Sequence, residues 1–496
     1  MFSNAARFPI EPAQEASTKV FFRVLLIGAC MVAFSASAQA GSLIVENTGK
    51  LAISCSSSEP VALALVVPAG KTMKSKAPKS GTVASVKCGS LTFRHLDLSA
   101  ASGDRILVLN GRQTRTLLAS LFPYIPTPNA NFDALIAMLE SGFQSKFPDV
   151  ALDLIISQDI DTYDFSAFPK IFGPNGYDTV EVDTSVLSAL VNGSYITPTK
   201  IVGDAPLPAA LSAVTSGTTG ITYGVPTWLC RDFLYSYDVG VLNVNGLPTL
   251  LSYLKTRPTY QIGAIFNGRW TLLGMYVNGM VSTYGYNQTT INNALTGAVD
   301  PTVIDGLAAI ANYCAKAGAN PCIDGTYKNA PDGTLEQGFA EGFVSTDAGY
   351  SERTFYIQTT KPTPAPYVVQ MPYGPTPIPM MYVDALVRSA ARCANDPCAS
   401  DAANLAAYFN TASVRASIAF TQDVQGAPAR HLLPAISTFY TMPQVVNDPI
   451  YSAVIPLIGQ MQPSPNSINL SILNDVSGRV CAALQSKLPT YKCPSA

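Results

Sequence analysis

Val150-Ala-Leu-Asp-Leu-Ile-Ile-Ser157 follows Ala130 to Lys146, whose apolar residues recur at helical spacing, and that stretch in turn follows Arg105-Ile-Leu-Val-Leu-Asn-Gly111. Short apolar runs bounded by turn residues read as strands, and a 3.6-residue period between two of them reads as a helix. Tyr177 to Asp183 supplies a third strand and Thr184 to Val191 the start of another helix. Strands alternating with helices predict an α/β fold with parallel sheet layers.

Upstream, the pattern changes. Ser42 to Leu98 is short, alternating and punctuated by Ser, Gly and Lys (SLIVEN, LAISCS, VALALVV, VASVKC, LTFRHLDL), which predicts a small β module over residues 41–102. Ser99-Ala-Ala-Ser-Gly103 reads as its linker. Earlier still, Lys19 to Ala40 has a basic start, an apolar run centred on Leu25 to Phe34 and an Ala38-Gln-Ala40 cleavage signature. Residues 1–40 are therefore expected to be a signal peptide, with a mature periplasmic or secreted protein beginning near Gly41. Arg23 leaves less apolar length than a bilayer requires, so no stable membrane span is expected. Ile27-Gly-Ala-Cys30 is lipobox-like and leaves a lipid anchor open, although the apolar Met31 to Phe34 argues against it.

Downstream, Asp232 to Tyr382 keeps the mixed α/β character, with a helix over Pro301 to Ala317 and a strand over Glu352 to Thr359. A Pro-rich stretch from Lys361 to Ala385 suits a crossover between lobes, and Ala385 to Arg392 reads as a helix. Thr215-Ser-Gly-Thr-Thr-Gly220 matches the phosphate loop of adenylate-forming enzymes, but Ile221-Thr-Tyr-Gly224 follows where those enzymes continue Pro-Lys-Gly. A turn before a strand accounts for it better.

Composition narrows the function. With 48% apolar and 13% charged residues the chain buries a large core, and a net charge of -2 offers no attraction to nucleic acid or anionic membrane. Only two histidines are present, His95 and His431, far apart and without ligand spacing, so neither a metal site nor a Ser-His-Asp triad is expected. Acid-base work falls to carboxylates.

Nine cysteines follow the signal segment, and in an oxidising compartment neighbouring thiols usually end as disulfides. Proximity pairs Cys55 with Cys88, Cys314 with Cys322, Cys393 with Cys398 and Cys481 with Cys493. Cys230 is left over, at the end of the Gly-punctuated strand Gly220-Ile-Thr-Tyr-Gly-Val-Pro-Thr-Trp-Leu-Cys230. It is either a buried, inert thiol or one kept for reactivity. Strand ends of open α/β sheets are where ligands bind, and Arg231 is placed to stabilise a thiolate.

Several stretches occur together in a set order: Phe122-Pro-Tyr-Ile-Pro126, Phe147-Pro-Asp-Val-Ala-Leu-Asp-Leu-Ile155, Tyr223-Gly-Val-Pro followed by Leu229-Cys230, Gly349-Tyr-Ser-Glu352 and Tyr382-Val-Asp-Ala385. From about Arg105 to Tyr440 the chain resembles thiamine pyridinylase, or thiaminase I. That resemblance implies the two-lobed fold of type II periplasmic binding proteins, with substrate in the cleft between lobes. It divides the chain into lobe 1 (103–228 and 385–496) and lobe 2 (229–384).

The same resemblance implies the site. Cys230 matches the family's nucleophile and Glu352 its general base, and no cofactor is implied. Thiamine and a nucleophilic amine or thiol cosubstrate are the implied partners. The thiolate adds to the pyrimidine ring, thiazole leaves as a neutral group, and the cosubstrate takes the pyrimidine from the enzyme. Tyr350, Tyr382 and Asp384 match further cleft positions: tyrosines offer faces to the pyrimidine and the thiazolium, and Asp384 is the expected anchor for the aminopyrimidine. Tyr124 fits a Tyr-Pro-Tyr-type motif, but Phe122 replaces its partner and one hydroxyl is lost. Tyr163 and Asp183 are further cleft candidates where spacing departs from the family pattern. An exported solute-binding protein on the same two-lobed fold is the competing reading, and it needs the aromatic and acidic residues without the nucleophile.

Overall fold

A computed structural model describes residues 42–58, 64–76, 82–97, 105–217, 219–258, 260–315 and 318–494. The export segment with Cys30, and the Ser99 to Gly103 linker, lie outside the described residues.

Among the described residues the N-terminal module is all β. Strands β1 (Ser42–Asn47), β2 (Ile53–Ser58), β3 (Ala64–Val67), β4 (Lys71–Lys76), β5 (Thr82–Cys88), β6 (Leu91–Asp97) and β7 (Arg105–Leu109) form two small sheets, ordered β4-β1-β7 and β3-β2-β5-β6. Arg105–Leu109 was expected to open the α/β layer. Instead it pairs in parallel with β1, Leu43 opposite Arg105 and Asn47 opposite Leu109, because its buried Leu107 and Leu109 complete the module's core with Leu43, Val45 and Phe93. Arg105 then ties the module to the body: its guanidinium donates to Glu140 Oε1 at 2.8 Å and Asp153 Oδ1 at 2.7 Å, both buried.

The body is built on an eight-stranded sheet with the path β17-β12-β16-β10-β8-β9. Its members are β8 (Arg115–Leu121), β9 (Val150–Ile156), β10 (Thr179–Asp183), β12 (Gly224–Cys230), β16 (Met380–Ser389) and β17 (Leu433–Pro434), and the short β11 (Ile196–Thr197) and β18 (Gln462–Pro463) also pair with β16. Both faces are covered, so these strands are almost continuously apolar, as in Leu117 to Leu121. The pairs β8/β9 and β8/β10 are parallel, as the strand-helix alternation requires, with the helix Asp133–Lys146 as the first crossover. Its Leu135, Ile136, Leu139 and Phe143 are buried. The strand β16 runs antiparallel to β10 and β12, so the sheet is mixed.

Beyond it, β13 (Asp232–Ser236), β14 (Asp347–Tyr350) and β15 (Tyr367–Gln370) make a three-stranded sheet ordered β14-β13-β15. It packs with the helices Arg269–Tyr284, Pro301–Asn312 and Leu470–Lys487 around a core that includes Leu234, Met275, Ile310 and Val476.

Two expected elements change type. Glu352 to Thr359 is helical, a single turn at Ser351–Arg353 continuing into the helix Thr354–Thr360. Burial of Phe355 and Ile357 outweighs the β propensity of this Phe, Tyr, Ile and Thr-rich stretch. Conversely, Ala385 to Ser389 is strand, although Ala, Leu and Arg favour helix. Its backbone is paired on both sides, to β10 and to β12, which a helix there would forfeit. All four expected disulfides are present, and Cys230 is the free thiol among the described residues.

Candidate active site

Register builds the centre of the site. Cys230, the last residue of β12, lies opposite Tyr382 on β16, and Asp384 on β16 lies opposite Asp183, the last residue of β10. Opposed residues share a face, and residues two apart on one strand share a face. Cys230, Tyr382, Asp384 and Asp183 are therefore gathered on one face at the end of three adjacent strands. The second sheet brings the rest: Asp232 on β13 opposes Tyr350 on β14, and Glu352 follows in the turn after β14.

These groups line one cavity of about 380 Å³. The candidate nucleophile, base and substrate-binding residues are all in its wall: Cys230, Glu352, Tyr124, Tyr163, Asp183, Tyr350, Tyr382 and Asp384. Tyr163 donates to Asp183 Oδ2 at 2.9 Å, while the Ser185 amide and hydroxyl occupy Oδ1 at 2.7 and 2.5 Å. Phe122 packs against Tyr124 and edge-on against Tyr163, with centroids 4.9 and 5.8 Å apart, so the position without a hydroxyl still shapes the aromatic wall. Tyr124 is half-exposed at the mouth.

The thiol donates to Asp384 Oδ2 at 3.5 Å. Burial, followed by the negative charges of Asp384, Glu352 and Asp183, pushes the Cys230 pKa well above the usual thiol range. The neutral thiol form of Cys230 is thus favoured. Burial next to Asp183 and Glu181 likewise pushes Asp384 well above the carboxylate range. Burial pushes Glu352 up to about 7, partly opposed by a backbone hydrogen bond and by Arg353. Arg353 is itself held by Asp332 at 3.4 Å and Glu336 at 3.6 Å. A carboxyl poised near 7 exchanges a proton at neutral pH, as a general base must.

Arg231 does not support a thiolate. Its buried guanidinium donates to the Met380 carbonyl at 2.8 Å, and side chains alternate along an extended backbone, so it turns away from the cavity that Cys230 faces. His431 is also structural, buried between Thr354 Oγ1 at 2.8 Å and Asp448 at 3.2 Å.

Sequence reading missed other wall residues, among them Trp228, Asp232, Trp270 and Arg353. Trp270 is in the first turn of the helix Arg269–Tyr284, its ring 4.9 Å from that of Tyr163 and stacked at 6.4 Å on Phe165. Trp228 shares β12 with Cys230 two residues away and carries the Arg415 guanidinium 4.2 Å over its ring. The chain has two tryptophans and both face this cavity, a scarcity that could have flagged them.

No protein-family model matches the chain, and no curated protein matches it. Among solved structures, thiaminase I from Bacillus thiaminolyticus is similar over 74% of this chain and 99% of its own, with a TM-score of 0.61 and 21% identity. Clostridium botulinum thiaminase I in complex with thiamin is similar over 75% of this chain and 100% of its own, with a TM-score of 0.60 and 16% identity. This chain has the thiaminase I fold. The same two-lobed architecture serves solute-binding proteins, among them an ABC transporter protein from Thermotoga lettingae bound with α-D-tagatose, at a TM-score of 0.56 and 16% identity over 76% of this chain and 95% of its own. At such identities the likeness concerns fold, and chemistry must be argued from the cavity.

Among the described residues no single helix is long and apolar enough to cross a membrane.

Proposed function

We propose that this protein is a thiaminase I-type transferase that moves the pyrimidine of thiamine from thiazole to an amine or thiol. The observation that carries the reading is the meeting, in one cavity, of the free thiol of Cys230 with Glu352, whose pKa burial raises to about 7.

The cleft is acidic, with Asp183, Asp232, Asp384 and Glu352 in its wall. That disfavours an isolated thiolate and favours a cation. The thiazolium of thiamine offsets the negative field, so substrate binding itself lowers the Cys230 pKa while Glu352 accepts the thiol proton. The thiolate bonds to the pyrimidine ring; the bond to the thiazolium nitrogen breaks, its electron pair staying on that nitrogen, and neutral thiazole departs. Glu352 passes its proton to solvent, then takes one from the incoming amine or thiol as that nucleophile displaces Cys230. Tyr350 and Tyr382 supply flat faces for the two rings, and Asp384 accepts from the aminopyrimidine when ionised and positions the thiol when protonated. Tyr163, Asp183 and Tyr124 complete the polar and aromatic wall.

One observation favours a second reading. The thiol is neutral and bonded to Asp384, a state that also suits a solute-binding protein for thiamine or a related molecule. Incubation with thiamine and aniline or pyridine separates the two. The enzyme releases thiazole only with the nucleophile present and loses this in Cys230→Ser; a binding protein returns thiamine unchanged.

A further inference from the structure

The near-neutral whole-chain charge conceals a segregation. Residues 42–109 carry eight Lys and Arg against four Asp and Glu, whereas the whole chain has 31 against 33. The acidic body thus bears a basic β module. Three features meet at one end of it: the turn that carries Lys50 and Leu51 after β1, the last residues of β3, and the Pro68 to Lys71 turn that opens β4.

Asn47 fixes this meeting. Its buried side-chain amide donates to the Leu51 carbonyl at 2.8 Å and to the Val67 carbonyl at 2.9 Å, and its backbone lies opposite Lys71 in the β1/β4 register. The chain is thereby held so that Leu51 is 77% exposed and Val66 60% exposed, among the most exposed large apolar side chains of the described residues. Lys50 and Lys71 are exposed beside them. The strand β4, reading Lys71-Thr-Met-Lys-Ser-Lys76, is the outer edge of its sheet, away from the β7 side that Arg105 anchors to the body.

Lysines alone would be an ordinary guard on a sheet edge. Two protruding aliphatic side chains beside Lys50 and Lys71 do something else: they combine a small apolar area, too small for a protein interface, with an electrostatic attraction to negative charge. We infer that this end of the module docks on an anionic lipid surface, with Leu51 and Val66 entering the headgroup boundary and Lys50 and Lys71 pairing with lipid phosphates. An anionic polymer would use the lysines without the aliphatic tips, and a second copy of this basic module would be repelled by it.

The test uses the full chain with vesicles of phosphatidylcholine alone or with 30% phosphatidylglycerol, roughly the charge density at which polybasic segments bind. Sedimentation is expected to carry the protein down with the anionic vesicles only, and less so as salt rises. Lys50→Glu with Lys71→Glu is expected to weaken binding by more than tenfold, at about fivefold per lysine. Leu51→Ser with Val66→Ser is expected to weaken it separately, while melting temperature and cavity chemistry stay as in the wild type. Three outcomes overturn the inference: equal binding to neutral vesicles, binding to a lipid-free polyanion that the serine pair leaves untouched, or self-association through Leu51 and Val66. Because none of these residues is in the cavity, failure here leaves the transferase reading standing, and the reverse also holds.

Discussion

Cys230 Sγ stands 3.5 Å from Asp384 Oδ2, on adjacent strands whose register puts Cys230 opposite Tyr382. Burial, and after it a carboxyl this close, favour the protonated form of the thiol. On the proposed reading, the charge of the substrate is what activates this thiol.

Removing that negative charge should free the thiol. Asp384→Asn keeps an acceptor and the shape of the side chain, and we expect the pH midpoint for alkylation of Cys230 by iodoacetamide to fall. An unchanged midpoint would mean that burial alone sets the thiol's pKa.

Glu352 should govern the pH dependence of turnover. With its pKa near 7, activity is expected to rise through pH 7 as the carboxylate forms, and Glu352→Gln to lower kcat by about 10²- to 10⁴-fold. A wild-type profile that is flat between pH 5 and 8 would remove Glu352 from the general-base role.

The same residue should lower stability at high pH. Its folded pKa of about 7 lies above the unfolded value of about 4.3, so the folded protein holds the extra proton. The associated stability is fully present below the unfolded value and is lost as pH rises through 7. Glu352→Gln is expected to melt above the wild type at pH 8, with the gap closing at pH 5; equal melting temperatures at both would contradict this.

Ligand binding should be visible without any label. Trp228 and Trp270 are the chain's two tryptophans and both line the cavity, so thiamine is expected to change the intrinsic fluorescence. Trp270→Phe should remove most of that change and weaken binding modestly, by about 1 kcal/mol for a lost aromatic contact.

Arg105 should matter for folding and not for chemistry. Arg105→Met leaves Glu140 and Asp153 buried without their cation, which costs about 3–5 kcal/mol and should appear in chemical denaturation. Turnover per folded molecule is expected to stay the same.

Much of this was legible in the sequence because the signals were local. The strand Val150–Ile156 and the helix before it announce themselves by period, and four disulfides follow from cysteines close in sequence. What was hidden depended on partners far along the chain. Arg105–Leu109 reads as an α/β strand until β1 claims it, and Ala385–Ser389 reads as helix until β10 and β12 pair with both of its edges. The direction of Arg231 also escaped, since adjacency in sequence suggests an interaction that strand alternation forbids. Trp270 and Arg353 enter the cavity from a helix and a turn whose approach to β12 no local pattern encodes.

The central claim is that Cys230 forms a covalent bond to the pyrimidine. Protein mixed with thiamine in the absence of added nucleophile, quenched in acid within the first turnover and measured by intact mass and peptide mapping, tests it most directly. We expect a mass increase equal to the pyrimidine moiety, located on the peptide containing Cys230, absent in Cys230→Ser and discharged by aniline. Turnover without any adduct, or an adduct on another residue, would contradict the account.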